Sequence, residues 1–333
     1  MSRKPVLTFT PEGIYCPAGD FYIDPWRRVD RALITHGHSD HARWGMGHYL
    51  ATDAALPVMQ HRLGEINAEG IPYGEVRRIG DANVSFHPAG HVPGSAQIRV
   101  EVSGEVWVAS GDYKVIDDGL SAPFEPVRCD HFITESTFGL PVFRWEPQAV
   151  VAAQINDWWR SCAAQGKTAI LGAYSLGKAQ RLMSMLDPAI GPLLCHAAVE
   201  NTNAVMRAQG LLLPDTVLAD KDVSAKTHPG AMVISPPSAL GSAWAKRFGP
   251  LESGFASGWM AMRGIRRRRA GDRGFVISDH ADWAGLLWAI KETHGYTDIF
   301  MRYLNENGWN AQVVPTQFEG ESLDRSDDAE DAA

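Results

Sequence analysis

Apolar and polar residues alternate in short runs over roughly the first 140 residues of the chain. Runs rich in β-branched and aromatic residues, separated by Gly, Pro and Asp, are typical of strands. The predicted strands read FYID, RALIT, NVSFHPA, QIRVEV, EVWVAS and HFITES. Between them, the segment 52–67 has the apolar spacing of a helix. The pattern therefore predicts a β-rich first region.

The spacing of apolar residues changes near Pro141. From there, amphipathic segments with a helical period alternate with short, continuous apolar runs, which favours helices and buried strands in alternation. The helices are predicted over 147–166 and 175–186, and the strands over 168–173 and 231–237. At 274–295 the chain returns to a strand, a polar turn and a helix.

This change of pattern predicts the domain organisation. We expect one β-rich domain formed by residues 1–140 and 274–320, with an α/β insertion over 141–273. The end of the chain is strongly acidic, and we predict a disordered tail over 321–333. Residues 319–333 carry a net charge of −6, which leaves only −2 of the total of −8 for the rest of the chain. Net charge therefore does not exclude a nucleic-acid partner.

Composition limits the class of protein further. With 45% hydrophobic and 9% aromatic residues, a chain of 333 residues can bury a substantial core. We see no apolar run near the roughly 20 residues that a membrane span requires, so no membrane partner is predicted. The first residues lack the apolar segment of a signal peptide. The four cysteines are isolated in sequence, which favours buried thiols in a reducing compartment and predicts a cytoplasmic protein.

Four side chains able to bind metal lie within the stretch LITHGHSDHARWG, directly after an apolar strand. Strand alternation places His36 and His38 on one side, while Asp40 and His41 turn away into the following loop. Imidazole and carboxylate groups are ligands for zinc, iron and manganese. The spacing predicts one metal ion at the His36 and His38 pair and a second at Asp40 and His41.

One loop cannot surround two ions, so further ligands should come from other strand ends. His91 lies in a Gly/Pro-rich turn after a predicted strand, and Asp112 follows the apolar run VWVAS. Asp112 is placed where it could bridge two metals. Two ions about 3.5–4 Å apart can share a hydroxide and neutralise the charge of a phosphoryl group. The sequence therefore predicts a two-metal hydrolytic centre.

The pattern His-x-His-x-Asp-His, followed by Gly-His and Ser-Gly-Asp, is similar to that of the metallo-β-lactamase superfamily. The resemblance implies an αββα sandwich with a centre of two divalent metals at its edge, which we expect to be zinc or manganese. It also implies that an aspartate after an early strand orients the metal ligands by hydrogen bonds, and Asp24 matches that position.

Later motifs resemble the β-CASP nucleases of this superfamily, which carry an inserted α/β domain. They are ITESTFG with Glu135, LGKAQRL, VISPPSALGS and SDHADW with His280. The resemblance implies phosphodiester hydrolysis by a metal-bound hydroxide. In it His280 protonates the leaving oxygen, and Glu135 orients that histidine. The catalytic residues implied are His280, Glu135, Asp40 and Asp112.

Within this group, the segments GIYCPAGDFYIDPW, ESTFGLPVFRW and PTQFEGE look most like the bacterial ligase-associated DNA exonucleases. The resemblance runs over residues 8–321. It implies a DNA exonuclease that acts in DNA repair, in functional partnership with an ATP-dependent DNA ligase. Two alternatives stay open. One is an RNA-processing nuclease of the β-CASP type, and the other is a non-catalytic nucleic-acid-binding protein with an incomplete metal centre.

The sequence departs from the family pattern at the last metal ligand. The family usually has a late His-Gly at a strand end, and the matching dipeptide here is His294-Gly295. Thirteen residues, most of them helical in pattern, separate it from His280 and leave no room for that strand. His294 could reach the site from a helix end, or the second metal could bind more weakly. Alternatively, His294 is a helix-terminal residue stabilised by the helix dipole.

Two basic segments are candidates for nucleic-acid binding. Lys178 and Arg181 lie at the start of a predicted helix, where backbone N–H groups could also hold a phosphate. The segment RGIRRRRAGDR, residues 263–273, holds six arginines against one acid. It is either a solvated surface or a strip that contacts phosphates. The candidate contacts in this strip are Arg266, Arg267, Arg268 and Arg269.

Overall fold

The computed structural model describes residues 5–269, 271–292, 303–310 and 312. They form two compact units. The first comprises the described residues up to Arg144 and those from Asp279 on, and the second is Trp145–Ser278. The second unit thus begins and ends a few residues later than the predicted insertion, 141–273. His294 and the acidic tail, 321–333, lie outside the described residues.

The first unit contains a mixed sheet whose strands lie in chain order, β1 to β6. The strands β1 to β3 pair antiparallel, whereas β3 to β6 run parallel to one another. The strands are β1 Thr8–Thr10, β2 Gly13–Cys16, β3 Phe21–Ile23, β4 Arg31–Leu33, β5 His48–Thr52 and β6 Ala68–Ile71.

The second sheet of this unit has the order β11-β10-β9-β8-β7. Its strands pair antiparallel except for β10 and β11, which run parallel. The strands are β7 Arg77–Ile79, β8 Ala82–Pro88, β9 Ala96–Val102, β10 Glu105–Ala109 and β11 His131–Ile133.

The two sheets pack face to face, because apolar side chains of both form one buried cluster that includes Phe21, Leu33, Phe86 and Ile98. Helix α1, Leu56–Leu63, covers the outer face of the first sheet through a second cluster. Helix α7, Trp283–Glu292, covers the outer face of the second sheet through a third. The predicted αββα sandwich is therefore confirmed.

Helix α1 is shorter than the predicted segment 52–67 for local reasons. Pro57 lies in its first turn, where the missing N–H costs no hydrogen bond. Gly64, with φ of 76°, ends it in a conformation that other residues rarely adopt. The residues before Leu56 form a turn after β5, a strand that the sequence pattern did not predict.

The second unit is built on one parallel sheet with the order β14-β13-β15-β12-β16-β17. Apolar clusters cover both of its faces, one with α2 to α4 and the other with α5. The strands are β12 Thr168–Gly172, β13 Leu193–Cys195, β14 Val217–Leu218, β15 Met232–Ser235, β16 Leu251–Ala256 and β17 Arg273–Phe275. The helices are α2 Gln148–Ala164, α3 Lys178–Met185, α4 Ala197–Ala208, α5 Ala243–Lys246 and α6 Arg263–Arg269, with 3₁₀ turns at Pro237–Ala239 and Gly258–Ala261.

One strand differs in partner from the predicted organisation. The sequence placed the strand near Phe275 in the first domain, but β17 pairs with β16 of the second unit. The side chain of Phe275 in β17 joins the core of the second unit, next to Trp158 of α2. Among the described residues, no helix is both long and apolar enough to cross a membrane.

Candidate metal centre

The polar side chains of the first unit collect where strands of both sheets end. Asp24 directly follows β3, and the loop from Thr35 to His41 follows β4. In the second sheet, His91 follows β8, Asp112 follows β10 and Glu135 follows β11. His280 joins them from the segment before α7. The convergence of these chain segments, distant in sequence, builds the site.

Asp112 lies at the middle of this group. Its Oδ2 atom is 3.5–3.9 Å from the Nε2 atom of each of four histidines, His41, His36, His91 and His280. The carboxylate is buried, with 5% of the residue exposed. One carboxylate oxygen facing several imidazole nitrogens is the arrangement that a ligand shared by two metals requires.

Three histidines complete a compact donor set with Asp112. The ligand atoms of His36, His38, His91 and Asp112 all lie within 4.8 Å of one another. The Nδ1 atom of His38 is 3.0 Å from Nε2 of His36 and 3.1 Å from Nε2 of His91. Three imidazole nitrogens and one carboxylate oxygen form a donor set typical of zinc, so these residues fit a metal ion.

The predicted second metal position contains His41 and Asp40. The Nε2 atom of His41 lies 3.5 Å from Oδ2 of Asp40 and 3.5 Å from Oδ2 of Asp112. A different set is also compact, because donor atoms of Asp112, Glu135 and His280 lie within 4.8 Å of one another. The sequence predicted catalytic roles for Glu135 and His280, and the geometry makes them metal-ligand candidates as well.

Asp24 holds the first of these loops in place. Its Oδ1 atom accepts a hydrogen bond of 2.8 Å from the Thr35 amide, and its Oδ2 atom lies 2.7 Å from Nδ1 of His41. The carboxylate is 2% exposed. With Nδ1 of His41 engaged by Asp24, the Nε2 atom faces Asp40 and Asp112, which is how an orienting carboxylate prepares an imidazole for a metal.

Replacing Asp24 by asparagine is therefore expected to lower metal affinity about 10–100-fold. The amide keeps the shape of the side chain but removes the negative charge beside His41. Competition with a chromophoric chelator measures the affinity. The matched control is Asp20→Asn, which changes an exposed aspartate of the same hairpin. Equal metal affinity in Asp24→Asn and the unaltered protein would show that Asp24 does not orient the ligands.

Two other histidines are held by hydrogen bonds at Nδ1. The backbone oxygen of Asp279 lies 2.9 Å from Nδ1 of His91, and the hydroxyl of Thr35 lies 3.1 Å from Nδ1 of His36. A carbonyl can only accept, so His91 carries its proton on Nδ1 when neutral. Its Nε2 atom then directs a lone pair towards His38 and Asp112, as metal binding requires.

The electrostatics of the site favour neutral imidazoles at His36 and His91 beside the charged carboxylate of Asp112. Burial, and then the neighbouring imidazoles, lower the pKa of His36 and His91 well below its usual value. Burial alone would lower the pKa of His41, but Asp40, Asp112 and Asp24 raise it well above the usual value. Burial opposes ionisation of Asp112, yet His41 and His280 hold its pKa well below that of a free aspartate.

His280 and Glu135 form a closely bonded pair. The Nδ1 atom of His280 lies 2.7 Å from Oε2 and 2.9 Å from Oε1 of Glu135. The backbone N–H of Tyr113 donates to Oε1 of Glu135 at 2.8 Å, which fixes the carboxylate. Consequently the Nε2 atom of His280 points to the centre, 3.9 Å from Asp112.

Arg62 of α1 anchors the loop that carries the ligand candidates, a contact that the sequence did not reveal. Its guanidinium donates to the backbone oxygens of Gly37 at 3.0 Å and His38 at 3.4 Å, and also to that of Ala42. These bonds fasten the ligand loop to α1. Nothing local marks Arg62, because its partners are 20 to 25 residues away and meet it only after folding.

The structure does not favour nucleic-acid contacts by Lys178 and Arg181. Both are buried, with 1% and 8% of the residue exposed. Arg181 donates to the backbone oxygen of Ser278 at 2.6 Å and to Gln148 at 2.9 Å, and Lys178 lies over the ring of Tyr174. Their charged groups therefore take part in contacts within the protein. The sequence shows only two basic residues at the start of a helix, and that pattern does not distinguish internal contacts from phosphate binding.

The arginine strip remains at the surface. Arg266, Arg267 and Arg268 are exposed on α6, whereas the side chain of Arg269 lies outside the described parts. Arg266 also donates to the backbone oxygen of Gly274 at 2.6 Å. With Arg273, Trp158 and others, Arg266 and Arg267 line a cavity of about 610 Å³ in the second unit. The strip is thus placed where a phosphate could reach it.

Known proteins resemble the chain in sequence. A protein named probable DNA ligase, from Opitutus terrae, is 28% identical over 314 residues, which are 91% of this chain and 30% of that protein. The cleavage and polyadenylation specificity factor 73 of Drosophila melanogaster is 25% identical over 52% of this chain and 26% of its own. A ribonuclease of Thermus thermophilus is 29% identical over 50% of this chain and 44% of its own. The chain spans less than half the length of these relatives.

No family model matches the chain. Among solved structures, a protein of unknown function from Enterococcus faecalis has a similar fold, with a TM-score of 0.56 and 11% identity over 87% of this chain and 80% of that one. The αββα sandwich and the strand-end cluster of histidines around Asp112 agree with the sequence resemblance to the metallo-β-lactamase superfamily. The similarity to a protein named as a ribonuclease is consistent with that resemblance.

Proposed function

We propose that the chain is a metal-dependent DNA exonuclease, which hydrolyses phosphodiester bonds from a strand end and serves DNA repair alongside a ligase. One observation carries the hydrolytic part of this proposal. Asp112 faces four imidazole nitrogens at 3.5–3.9 Å in a buried site at the ends of strands. Metal ions held by such a set of donors would stabilise the negative charge that develops when a phosphodiester is hydrolysed.

Residues of both sheets would hold the metals. His36, His38, His91 and Asp112 fit one ion, and Asp40, His41 and Asp112 are the candidates for another. Bound divalent ions, zinc or manganese, supply an activated water and neutralise charge on the phosphate. Asp24 and Thr35 keep the histidines in orientation, so the site needs little rearrangement to receive the ions.

The pair of His280 and Glu135 suits proton transfer to the leaving oxygen. The carboxylate of Glu135 accepts the Nδ1–H of His280 and stabilises the charged form of the ring. The Nε2 atom, which faces the centre, can then deliver its proton to the departing sugar oxygen. This role leaves the negative charge of Glu135 in place while the imidazole cycles between its two states.

Similarity to a probable DNA ligase favours DNA as the substrate and a ligase as the functional partner, because it extends over 91% of this chain. The relatives named as a ribonuclease and a polyadenylation factor favour the second candidate, an RNA-processing nuclease. The test is a panel of end-labelled linear DNA and RNA with closed circular DNA. We expect stepwise shortening of linear DNA and an intact circle. Equal cleavage of the circle would exclude an exonuclease, and cleavage of RNA alone would select the second candidate.

The arginine strip gives a further prediction about binding. If Arg266, Arg267 and Arg268 contact phosphates, changing all three to glutamine should make the slope of log K against log salt shallower by about 0.7–0.9 for each phosphate that is no longer neutralised. Titrations of labelled DNA at several salt concentrations measure the slope. Arg160→Gln is the control, since this exposed arginine already pairs with Asp157 and Asp187. An unchanged slope in the triple variant would mean that the strip is a solvated surface.

A further inference from the structure

Trp44 is an exposed tryptophan on the loop that also carries metal-ligand candidates. It follows His41 by three residues, and 62% of its surface is exposed. The other exposed tryptophan of the described residues, Trp288, is 42% exposed. A large ring of this kind normally gains stability by burial, and its exposure in this loop leaves an aromatic face open to a ligand.

Hydrogen bonds fix the backbone on both sides of Trp44. The Tyr49 hydroxyl donates to the backbone oxygen of Arg43 at 2.7 Å and accepts from the amide of Met46 at 3.0 Å, so it brackets Trp44 on both sides. The guanidinium carbon of Arg28 lies 4.9 Å from the centre of the indole ring. Contact with this cation occupies part of the ring, while most of the residue faces solvent.

The surroundings of Trp44 are basic. Arg28 and its neighbour Arg27 are both exposed, in the segment that follows β3 and Asp24. Arg43 precedes Trp44 and donates to the backbone oxygen of Asp40 at 3.2 Å. Exposed aromatic rings interleaved with arginines are the combination that binds single-stranded nucleic acid, by stacking on bases and attracting phosphates.

The position along the chain limits the distance to the metal centre. Three residues can span at most about 11 Å, so Trp44 lies within that distance of His41 when measured between Cα atoms. A base stacked on Trp44 would therefore belong to a nucleotide within a few nucleotides of the phosphate held at the centre. The indole ring of Trp44 cannot stack on a base that is paired and stacked within a duplex.

We propose that Trp44, backed by Arg28, is a stacking platform for an unpaired nucleobase of the substrate, within a few nucleotides of the phosphodiester bond that is cleaved. The inference rests on the proposed function and adds to it the form of substrate recognised, a single-stranded end. Arg28 holds the ring from one side and provides charge for the adjacent phosphate. The base binds to the part of the indole that faces solvent.

The test is a binding measurement that does not depend on hydrolysis. Metal-loaded protein is titrated into a labelled single-stranded oligonucleotide with phosphorothioate linkages, which resist cleavage. The same measurement is made on a series of oligonucleotides in which one nucleotide at a time is abasic. Trp44→Ala is compared with Trp44→Phe, which retains a ring, and with Trp288→Ala, which removes the exposed tryptophan of α7.

We expect Trp44→Ala to weaken binding of the intact oligonucleotide about tenfold, because a stacked base contributes on the order of 1–3 kcal/mol. At one position, the abasic change should weaken binding to the unaltered protein by a similar factor but have no further effect on Trp44→Ala. Trp44→Phe should retain most of the affinity, and Trp288→Ala all of it. Equal losses for intact and abasic strands, or no loss, would overturn the platform. Base-dependent binding by a protein that cleaves no phosphodiester would instead overturn the proposed nuclease and keep the platform.

Discussion

Replacing Asp112 by alanine is expected to abolish metal-dependent cleavage, with a loss of at least about 10³-fold in kcat. The Oδ2 atom of Asp112 lies within 4 Å of Nε2 of His36, His41, His91 and His280. Removing it takes a shared ligand from both predicted metals at once. It also leaves the buried imidazoles without the negative charge that stabilises a bound cation.

The metal content of purified protein should fall in parallel. We expect about two metal ions per chain in the unaltered protein and fewer in Asp112→Ala, measured by elemental analysis after dialysis. The matched control is Asp117→Ala, which removes an exposed aspartate five residues away that caps only a local turn. If the unaltered protein held one ion or none and cleaved no substrate, the alternative of a non-catalytic binding protein would replace the enzyme.

Replacing His280 by alanine is expected to lower kcat by about 10²–10⁴-fold while the metal content stays the same. Glu135→Gln should have a smaller effect in the same direction. The glutamine can still accept from the Tyr113 amide, but it lacks the negative charge that stabilises a protonated His280. Steady-state rates on a labelled oligonucleotide, with metal analysis of each variant, make the comparison.

The metal analysis matters here because Asp112, Glu135 and His280 also form a compact donor set. If His280→Ala released one metal ion along with its activity, His280 would be a ligand and not the proton donor. His87→Ala is the control for a histidine change, since His87 lies on β8 and contacts Ser85 and Glu125. Its activity should remain at that of the unaltered protein.

The ligand candidates could be predicted from the sequence because each lies shortly after an apolar strand. His36, His91 and Asp112 come after β4, β8 and β10, and strand ends meet at one edge of a sandwich. The pattern predicted a β-rich domain with an α/β insertion, and the αββα arrangement of the first domain came from the resemblance alone. The exposed face of Trp44 could not be predicted from the sequence, because a tryptophan in a loop is as readily buried as exposed.

Contacts between distant residues set the limit of prediction. The bond between His280 and Glu135 spans 145 residues, and no spacing rule could have given it without a family pattern. For Arg181, the sequence predicted a contact with nucleic acid that the structure does not favour. Arg181 lies at a basic helix start that resembles a phosphate site, but its guanidinium bonds to Ser278, 97 residues away, and is buried. Tertiary contacts decide whether a charge serves the fold or a ligand.

We propose that the histidines around Asp112 form the metal centre of a DNA nuclease. The most direct measurement is cleavage of end-labelled linear DNA by protein stripped of metal and then supplied with zinc or manganese. We expect no cleavage by the stripped protein, and stepwise shortening of the DNA once metal is restored. Cleavage that persists without metal, or no cleavage with any divalent metal, would contradict the claim.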